Sequence, residues 1–339
     1  MIFKLSLEEV RDLALRALIG CGASADQAAP VAASISAAEA DGIHTVGLGY
    51  LPTYCEHLRC GKIDGRAEPQ WRRSAPAGLV ADARFGFAHA AFERVMPSYA
   101  DLVREVGIAG LAIANSYSAG VLGWFVEDLA EHGFVALAFA NASASIAPWG
   151  GRVPFFGTNP IAFAVPRADA APLVIDQSSS TVAKAKVREK AARGEPIPDG
   201  WGLDAAGRPT SDPRAVLDGG SMAPAGGYKG AALALIVDIM AAGLTGANWS
   251  FEASPFGDNT GGPPRVGQFF VAIRPGAFGG FAFGERIETL FAAMVAQEGV
   301  RLPGDRRFAH RRSAAREGVA IGRALHEQLL AYAEGTSTR

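Results

Sequence analysis

Cysteine is scarce in this 339-residue chain: Cys21, Cys55 and Cys60 form an odd set with no CxxC spacing. That excludes a disulfide framework and gives no zinc pattern, so a reducing cytoplasm is the expected setting. Charge is also in short supply. Only 19% of the residues are charged, and 32 basic against 34 acidic side chains leave a net charge of −2 with no long Lys/Arg run. Nothing there follows a phosphate backbone, so nucleic acid is not an expected partner. The six histidines show no HxH or HExxH spacing, and no metal site is expected. The first twenty residues lack a basic n-region and a cleavage site, and Glu8, Glu9, Arg11, Asp12 and Arg16 interrupt their apolar residues. They read as an amphipathic helix, not as a leader or a membrane span, and no membrane partner is expected. Finally, no GxGxxG follows any strand pattern, which counts against an ordinary Rossmann dinucleotide fold.

What is abundant is apolar surface, 49% of residues. A chain of this length and composition buries a large core and leaves little charged exterior, which favours a subunit of an oligomer. Ser6 with Glu9 reads as a capping box for a first helix, and Ser24 with Gln27 opens an alanine-rich second one. From Val80 onward helical and apolar strand patterns alternate. IAGLAIAN, the loop from Ser116 to Gly123, a helix to His132 and FVALAFAN at 134–141 make a strand–loop–helix–strand unit. Further strands are expected at 161–165, 173–176 and 268–275, with helices at 285–298 and from Ser313 to about Ala333. His57 and His132 are expected on solvated helical faces.

Two places have the makings of an anion or ligand site. In SMAPAGGYKGAALALIVD, at 221–238, Gly226, Gly227 and Gly230 bracket Lys229 ahead of a helix, so backbone, charge and helix N–H groups can converge. The alternative is a glycine turn with a solvated lysine. Asp176 ends a strand and precedes Gln177, Ser178, Ser179, Ser180 and Thr181, a polar run that can hold ribose, phosphate or a catalytic partner, or can simply cap the next helix.

Six stretches, taken together and in order, resemble the type 2 malate/L-lactate dehydrogenase family, whose relatives include ureidoglycolate, sulfolactate and diketogulonate dehydrogenases and cyclic imino acid reductases. They are NSYSAGVLGWF (115–125), APWGGRVPFFGTNPIAFAVP (147–166), VIDQSSSTVAKAKV (174–187), GEPIPDGWGLDAAGRPTSDP (194–213), PAGGYKGAALALIVDIMAAGLTGA (224–247) and RLPGD (301–305). The resemblance implies an α/β, non-Rossmann fold with a mixed, largely antiparallel central sheet flanked by helices. It implies a helical domain from both chain ends, 1–75 plus 284–339, and a cofactor-binding and substrate portion at 76–283. It also implies NAD or NADP as cofactor, a small-molecule substrate, and a homodimer with the active site near the subunit interface. The implied cofactor contacts are Ser118, Gly120, Gly157, Thr158, Asn159, Asp176 to Thr181, Tyr228, Lys229, Pro303, Gly304 and Asp305.

The chain departs from the family at the substrate end. Where the family carries Ser-His-Gly and an arginine three residues on, this sequence reads Thr45-Val46-Gly47 with Tyr50, and the family's histidine in the 115–125 loop is Ser118. Valine transfers no proton and tyrosine makes no bidentate pair with a carboxylate. Three functions stay open: hydride transfer on a 2-hydroxy or 2-keto acid-like substrate, reduction of a cyclic imine, or nucleotide or metabolite binding without turnover. The candidate catalytic residues are His44, Thr45, Tyr50 and Asp176, with Lys184 as a substitute proton carrier.

Overall fold

The computed structural model describes residues 2–279 and 282–336. The chain opens with β1 (Ile2–Leu5), α1 (Leu7–Gly20), α2 (Ala25–Ala40) and α3 (Leu51–Arg59). The Ser6 hydroxyl accepts the Glu9 amide at 3.1 Å while the Glu9 carboxylate accepts the Ser6 amide at 2.7 Å, so α1 starts at the reciprocal cap the sequence predicts. Next come β2 (Gln70–Ala75), β3 (Gly78–Asp82), α4 (Ala88–Val106), β4 (Ile108–Ser116), α5 (Leu122–Glu131) and β5 (Val135–Ala140). A long loop leads to β6 (Ile161–Val165), β7 (Leu173–Gln177) and α6 (Lys184–Arg193). The short strands β8 (Gly202–Leu203) and β9 (Ser221–Met222) flank α7 (Pro213–Leu217), and α8 (Tyr228–Asp238) passes into a π-helical turn at Ile239–Gly243. The chain closes with β10 (Val266–Ile273), α9 (Phe283–Val295), α10 (Asp305–Glu317), β11 (Val319–Gly322) and α11 (Arg323–Ala333).

Seven strands form one sheet in the order β2-β3-β4-β10-β5-β6-β7, and only β3 and β4 run parallel, so the sheet is mixed and largely antiparallel as expected. The expected unit at 108–141 is corrected in one respect. β10 lies between β4 and β5 and pairs antiparallel with both, so the adjacent parallel pair is instead β3 and β4, joined through α4. Local pattern cannot reveal a strand inserted from 130 residues away. Side-chain alternation then builds three layers. Ala136 and Ala138 of β5 face the core with Phe92 of α4 and Phe125 of α5, while Leu137 and Phe139 face Val237 of α8 and Ala241 after it. Phe270, at the middle of β10, is fully buried, with its ring 5.2 Å from Phe92 and 5.5 Å from Phe125. Burying each such ring stabilises the fold by roughly 1.5–3 kcal/mol.

A second core joins the chain ends: Val10, Leu13 and Leu18 of α1, Val31 and Ile35 of α2 and Tyr54 of α3 pack with Leu329 and Tyr332 of α11. β1 and β11 pair antiparallel beside it. The single last helix expected from Ser313 is therefore wrong. Gly318, at φ 74°, ends α10, and a Cβ there would lie 2.7 Å from the Leu5 carbonyl oxygen. Val319 and Ile321 then alternate inward as a strand, which β-branched residues favour. At the other edge of the main sheet, Phe291 of α9 and Leu302 cover Leu173 of β7. Arg311 ties α10 to the body, bonding Asp41 after α2 and Glu127 on α5.

Candidate active site

Because β4, β5 and β7 are each antiparallel to a strand between them, their C-terminal ends share one edge of the sheet. A cleft of about 820 Å³ opens there, large enough for a nicotinamide nucleotide with a small substrate. The turn after β4 brings Ser118 and Gly120, the loop after β5 brings Ser143 and Ser145, and the end of β7 brings Asp176, Gln177 and Ser178. Thr158, before β6, lies on the same wall. Facing them are Thr45, Val46, Tyr50 and Tyr54, with Lys184 and Arg188 of α6 at one side.

Asp176 is the best-supported acidic residue of the cleft. Its Oδ2 accepts the Gly123 amide at 2.8 Å, an unpaired donor of the first turn of α5, and lies 3.9 Å from Arg307 Nη2. Burial raises its pKa, opposed by the Gly123 amide and Arg307. The Ser178 hydroxyl is 3.0 Å from the Ser180 hydroxyl, and Gly120, at φ 62°, leaves room that a Cβ 3.2 Å from Tyr54 Oη would take. These groups suit a dinucleotide: hydroxyls and a carboxylate for ribose, Arg307 for negative charge, and a glycine corner for close approach. When bound, a nicotinamide would supply the hydride; the residues here would hold and orient it.

Other expected residues occupy different positions. Asn159 and Ser179 are buried and structural: Asn159 Nδ2 donates to Ala234 O at 2.9 Å and Ser179 Oγ to Asn159 O at 2.7 Å. Gly157 lets two strands of loop pass, since a Cβ would lie 2.4 Å from Ala142 O. Ser180 donates to Val182 O at 2.8 Å, and exposed Thr181 to Pro224 O at 3.3 Å. Tyr228 and Lys229 are exposed on the first turn of α8, outside the cleft wall. Pro303 and Asp305 line a separate hollow of about 350 Å³ with Arg167, and Gly304, at φ 92°, turns the chain into α10. His44 does not line the cleft: its Nδ1 lies 2.5 Å from Glu39 Oε2, while Glu39 Oε1 accepts the Leu48 amide at 2.7 Å.

Tyr50 and Tyr54 are held protonated, burial raising both phenols. Their neighbour is the loop at 255–258, which carries no motif; the Tyr50 hydroxyl donates to Phe256 O at 3.4 Å. It is fastened from behind by Lys62, fully buried, which donates to the carbonyls of Pro255 (2.6 Å), Asp258 (2.9 Å) and Thr260 (2.7 Å). His57, expected on a solvated face, is buried instead. Its Nε2 donates to Asp258 O at 2.9 Å, so Nδ1 accepts the Tyr117 hydroxyl at 2.5 Å. Lys184 reaches Ser145 Oγ at 3.1 Å, and burial with the charge of Arg188 pushes its pKa down to about 8. Arg188 and Arg307 were missed from the sequence; the four-residue spacing of Lys184 and Arg188, which puts both on one helical face, was the available signal.

Residues 5–330 match the malate/L-lactate dehydrogenase family. The (2R)-3-sulfolactate dehydrogenase (NADP(+)) of Chromohalobacter salexigens is 46% identical over 331 residues, 97% of this chain and 98% of that protein. A Delta(1)-pyrroline-2-carboxylate/Delta(1)-piperideine-2-carboxylate reductase of Pseudomonas aeruginosa is 40% identical, over 98% of this chain and 100% of that protein. The crystal structure of delta1-piperideine-2-carboxylate reductase from Pseudomonas syringae pvar. tomato matches with a TM-score of 0.89 at 37% identity, covering 97% of this chain and 99% of that one. The chain belongs to the malate/L-lactate dehydrogenase family of oxidoreductases.

Proposed function

We propose that the protein is an NADP(H)-dependent oxidoreductase that transfers hydride to or from a small 2-oxo or 2-hydroxy acid. One observation carries this: dinucleotide-suited groups at Asp176–Ser178, Ser118 and Gly120 share a single cleft with the Thr45–Tyr50 segment and two cations of α6. NADP(H) is preferred because the sulfolactate dehydrogenase relative is named for NADP(+). The cyclic imine alternative is kept because relatives at about two-fifths identity are reductases of pyrroline- and piperideine-2-carboxylate. In either case Val46 and Tyr50 stand where proton donor and carboxylate grip are implied, so other groups of the cleft take those roles.

The protein would work as a cytoplasmic homodimer. Supporting this, Leu235, Ile236 and Ile239 of α8 and its π-helical turn, with Leu244 and Phe251, leave large apolar side chains about half exposed, and the three thiols are unpaired. Tyr228 and Lys229 begin the same helix, so this face would bring them toward a partner subunit. Sedimentation decides between one and two copies of the 35.2 kDa chain.

Turnover tests the reading. NADPH oxidation is expected with 2-oxo acids, and faster than with NADH. Oxidation only with a cyclic imino acid would favour the alternative, and no turnover in a protein that binds NADPH would leave a binding function.

A further inference from the structure

A chain of hydroxyls leads from the cleft to a buried imidazole. Tyr50 lines the cleft, and its hydroxyl reaches Phe256 O only over a long 3.4 Å. The other acceptor within its hydrogen-bonding reach is the hydroxyl of Tyr117, a fully buried residue that does not line the cleft. Tyr117 Oη is in turn 2.5 Å from His57 Nδ1, and His57 Nε2 is 2.9 Å from Asp258 O. The donors can therefore line up in one direction, Tyr50 to Tyr117 to His57, and end on the lone pair of a ring nitrogen.

Edge-to-face packing holds the phenols in place. The Tyr54 ring lies 4.9 Å from Tyr50 and 5.8 Å from Tyr117, and Phe256 lies 5.1 Å from Tyr117. Tyr54 Oη faces the Gly120 corner, where a Cβ would lie 3.2 Å away. The ring at the end of the chain is kept as a base. Burial, and then the charge of Lys62, which shares the Asp258 carbonyl with His57, oppose a second proton on the imidazole. The Asp258 and Glu56 carboxylates act the other way, and the balance leaves the His57 pKa below its ordinary value.

We propose that Tyr50 is the catalytic acid/base of the cleft, and that Tyr117 and His57 act through it by taking up and returning its proton. The reaction rests on the oxidoreductase reading; the hydrogen-bond chain does not. With a 2-hydroxy acid, the substrate hydroxyl proton passes to Tyr50 as the Tyr50 proton passes to Tyr117 and the Tyr117 proton to His57 Nδ1. The hydride leaves the hydroxyl-bearing carbon with its electron pair for NADP+, and the C=O bond forms. His57 is left as an imidazolium, its Nε2–H still on the Asp258 carbonyl, and then releases a proton to solvent. Reduction runs the same shifts backward from the imidazolium. A buried phenol is a weak acid at neutral pH, so an imidazole placed in the cleft would still outperform it.

The test is a pH–rate series from about pH 5 to 9 on the full chain, with NADP+ and whichever of L-lactate, L-malate and glycerate it oxidises fastest. Wild-type oxidation is expected to fall as pH drops through the His57 pKa, below about 6.5, because a protonated ring accepts nothing. Reduction is expected to show the opposite dependence on the same group. Tyr50→Phe is expected to lose about 10²-fold or more in kcat. His57→Gln can still accept from Tyr117 and donate to Asp258 O but takes up no proton. It and Tyr117→Phe are each expected to lose the acidic limb and about tenfold or more in kcat, with KM and NADP+ affinity little changed. An acidic limb that persists in both variants would overturn the inference, as would a Tyr50→Phe protein with undiminished kcat. A limb that disappears in Lys184→Met instead would assign the proton to that lysine and also overturn it. Should none of the acids be oxidised, histidine-selective NMR still decides the chain. A neutral His57 protonated at Nε2, with a signal that moves in both Tyr117→Phe and Tyr50→Phe, would sustain the chain and count against the oxidoreductase reading alone. A His57 protonated at Nδ1, or one insensitive to Tyr50, would overturn the inference.

Discussion

Arg311→Met is expected to destabilise the protein by roughly 3–5 kcal/mol, the cost typical of leaving buried charges without their partner. The arginine bonds Asp41 Oδ1 at 2.5 Å and Glu127 Oε2 at 2.7 Å, and those carboxylate side chains are only 4% and 11% exposed. Removing the guanidinium therefore strands two carboxylates, one after α2 and one on α5, rather than deleting a surface pair worth about 0–1 kcal/mol. Both acids also hold the arginine's pKa above its usual value, against the opposing effect of burial. The functional consequence follows from α10, which carries Arg311 and, one turn earlier, the Arg307 that faces Asp176. Denaturant unfolding measures the loss. Arg311→Lys keeps the charge but not the two-pronged geometry, and is expected to fall between wild type and Met. A loss below about 1 kcal/mol for Arg311→Met would show that the triad behaves as a surface pair.

Val46→His is expected to raise the reduction of simple 2-oxo acids about a hundredfold. Val46 lines the cleft beside Thr45 and Tyr50, at the position where the family resemblance implies an acid/base histidine, and a positioned general acid typically contributes about 10²–10⁴-fold. None of the chain's own histidines takes that place: His44 is turned toward Glu39, and His57 is spent on Tyr117 and the Asp258 carbonyl. Burial pushes His89 down to about 3 and keeps it neutral. A pH–rate profile of the variant should gain a group titrating near the usual histidine range, about 6.5. Val46→Phe, of larger bulk but without a proton, is expected to show no gain. If the His variant folds, binds NADPH and still reduces 2-oxo acids no faster, the reacting carbon does not lie near residue 46.

What could be seen in the sequence was whatever depends on neighbours along the chain. The Ser6 cap, the apolar strands at 108–116 and 135–140 and the Asp176 corner all follow from local pattern, and their structural counterparts lie where the pattern puts them. Long-range pairing was not visible: β10 enters between β4 and β5, and β11 is drawn out of an apparently helical segment by β1. The candidate site residues divide in the same way. Thr45, Tyr50, Ser118, Gly120, Thr158, Asp176, Gln177 and Ser178 meet in one cleft, whereas Asn159 and Ser179 are absorbed into buried hydrogen bonds. Lys229 itself is exposed at the start of α8, whose inner face is buried, and Gly230 serves the turn: a Cβ there would lie 2.3 Å from Ala225 O. Lys62 and the 255–258 loop carry no motif at all, because their role depends on contacts nearly 200 residues apart in the chain.

On the proposed reading, dinucleotide and substrate meet in the cleft at the C-terminal ends of β4, β5 and β7. A crystal structure with NADPH bound tests this directly. The dinucleotide is predicted to run along Asp176–Ser178 and past Gly120, with its nicotinamide ring between the Thr45–Tyr50 segment and Lys184. A dinucleotide bound only at the hollow beside Pro303 and Asp305, or only around Lys229 with the cleft free of it, would contradict the account.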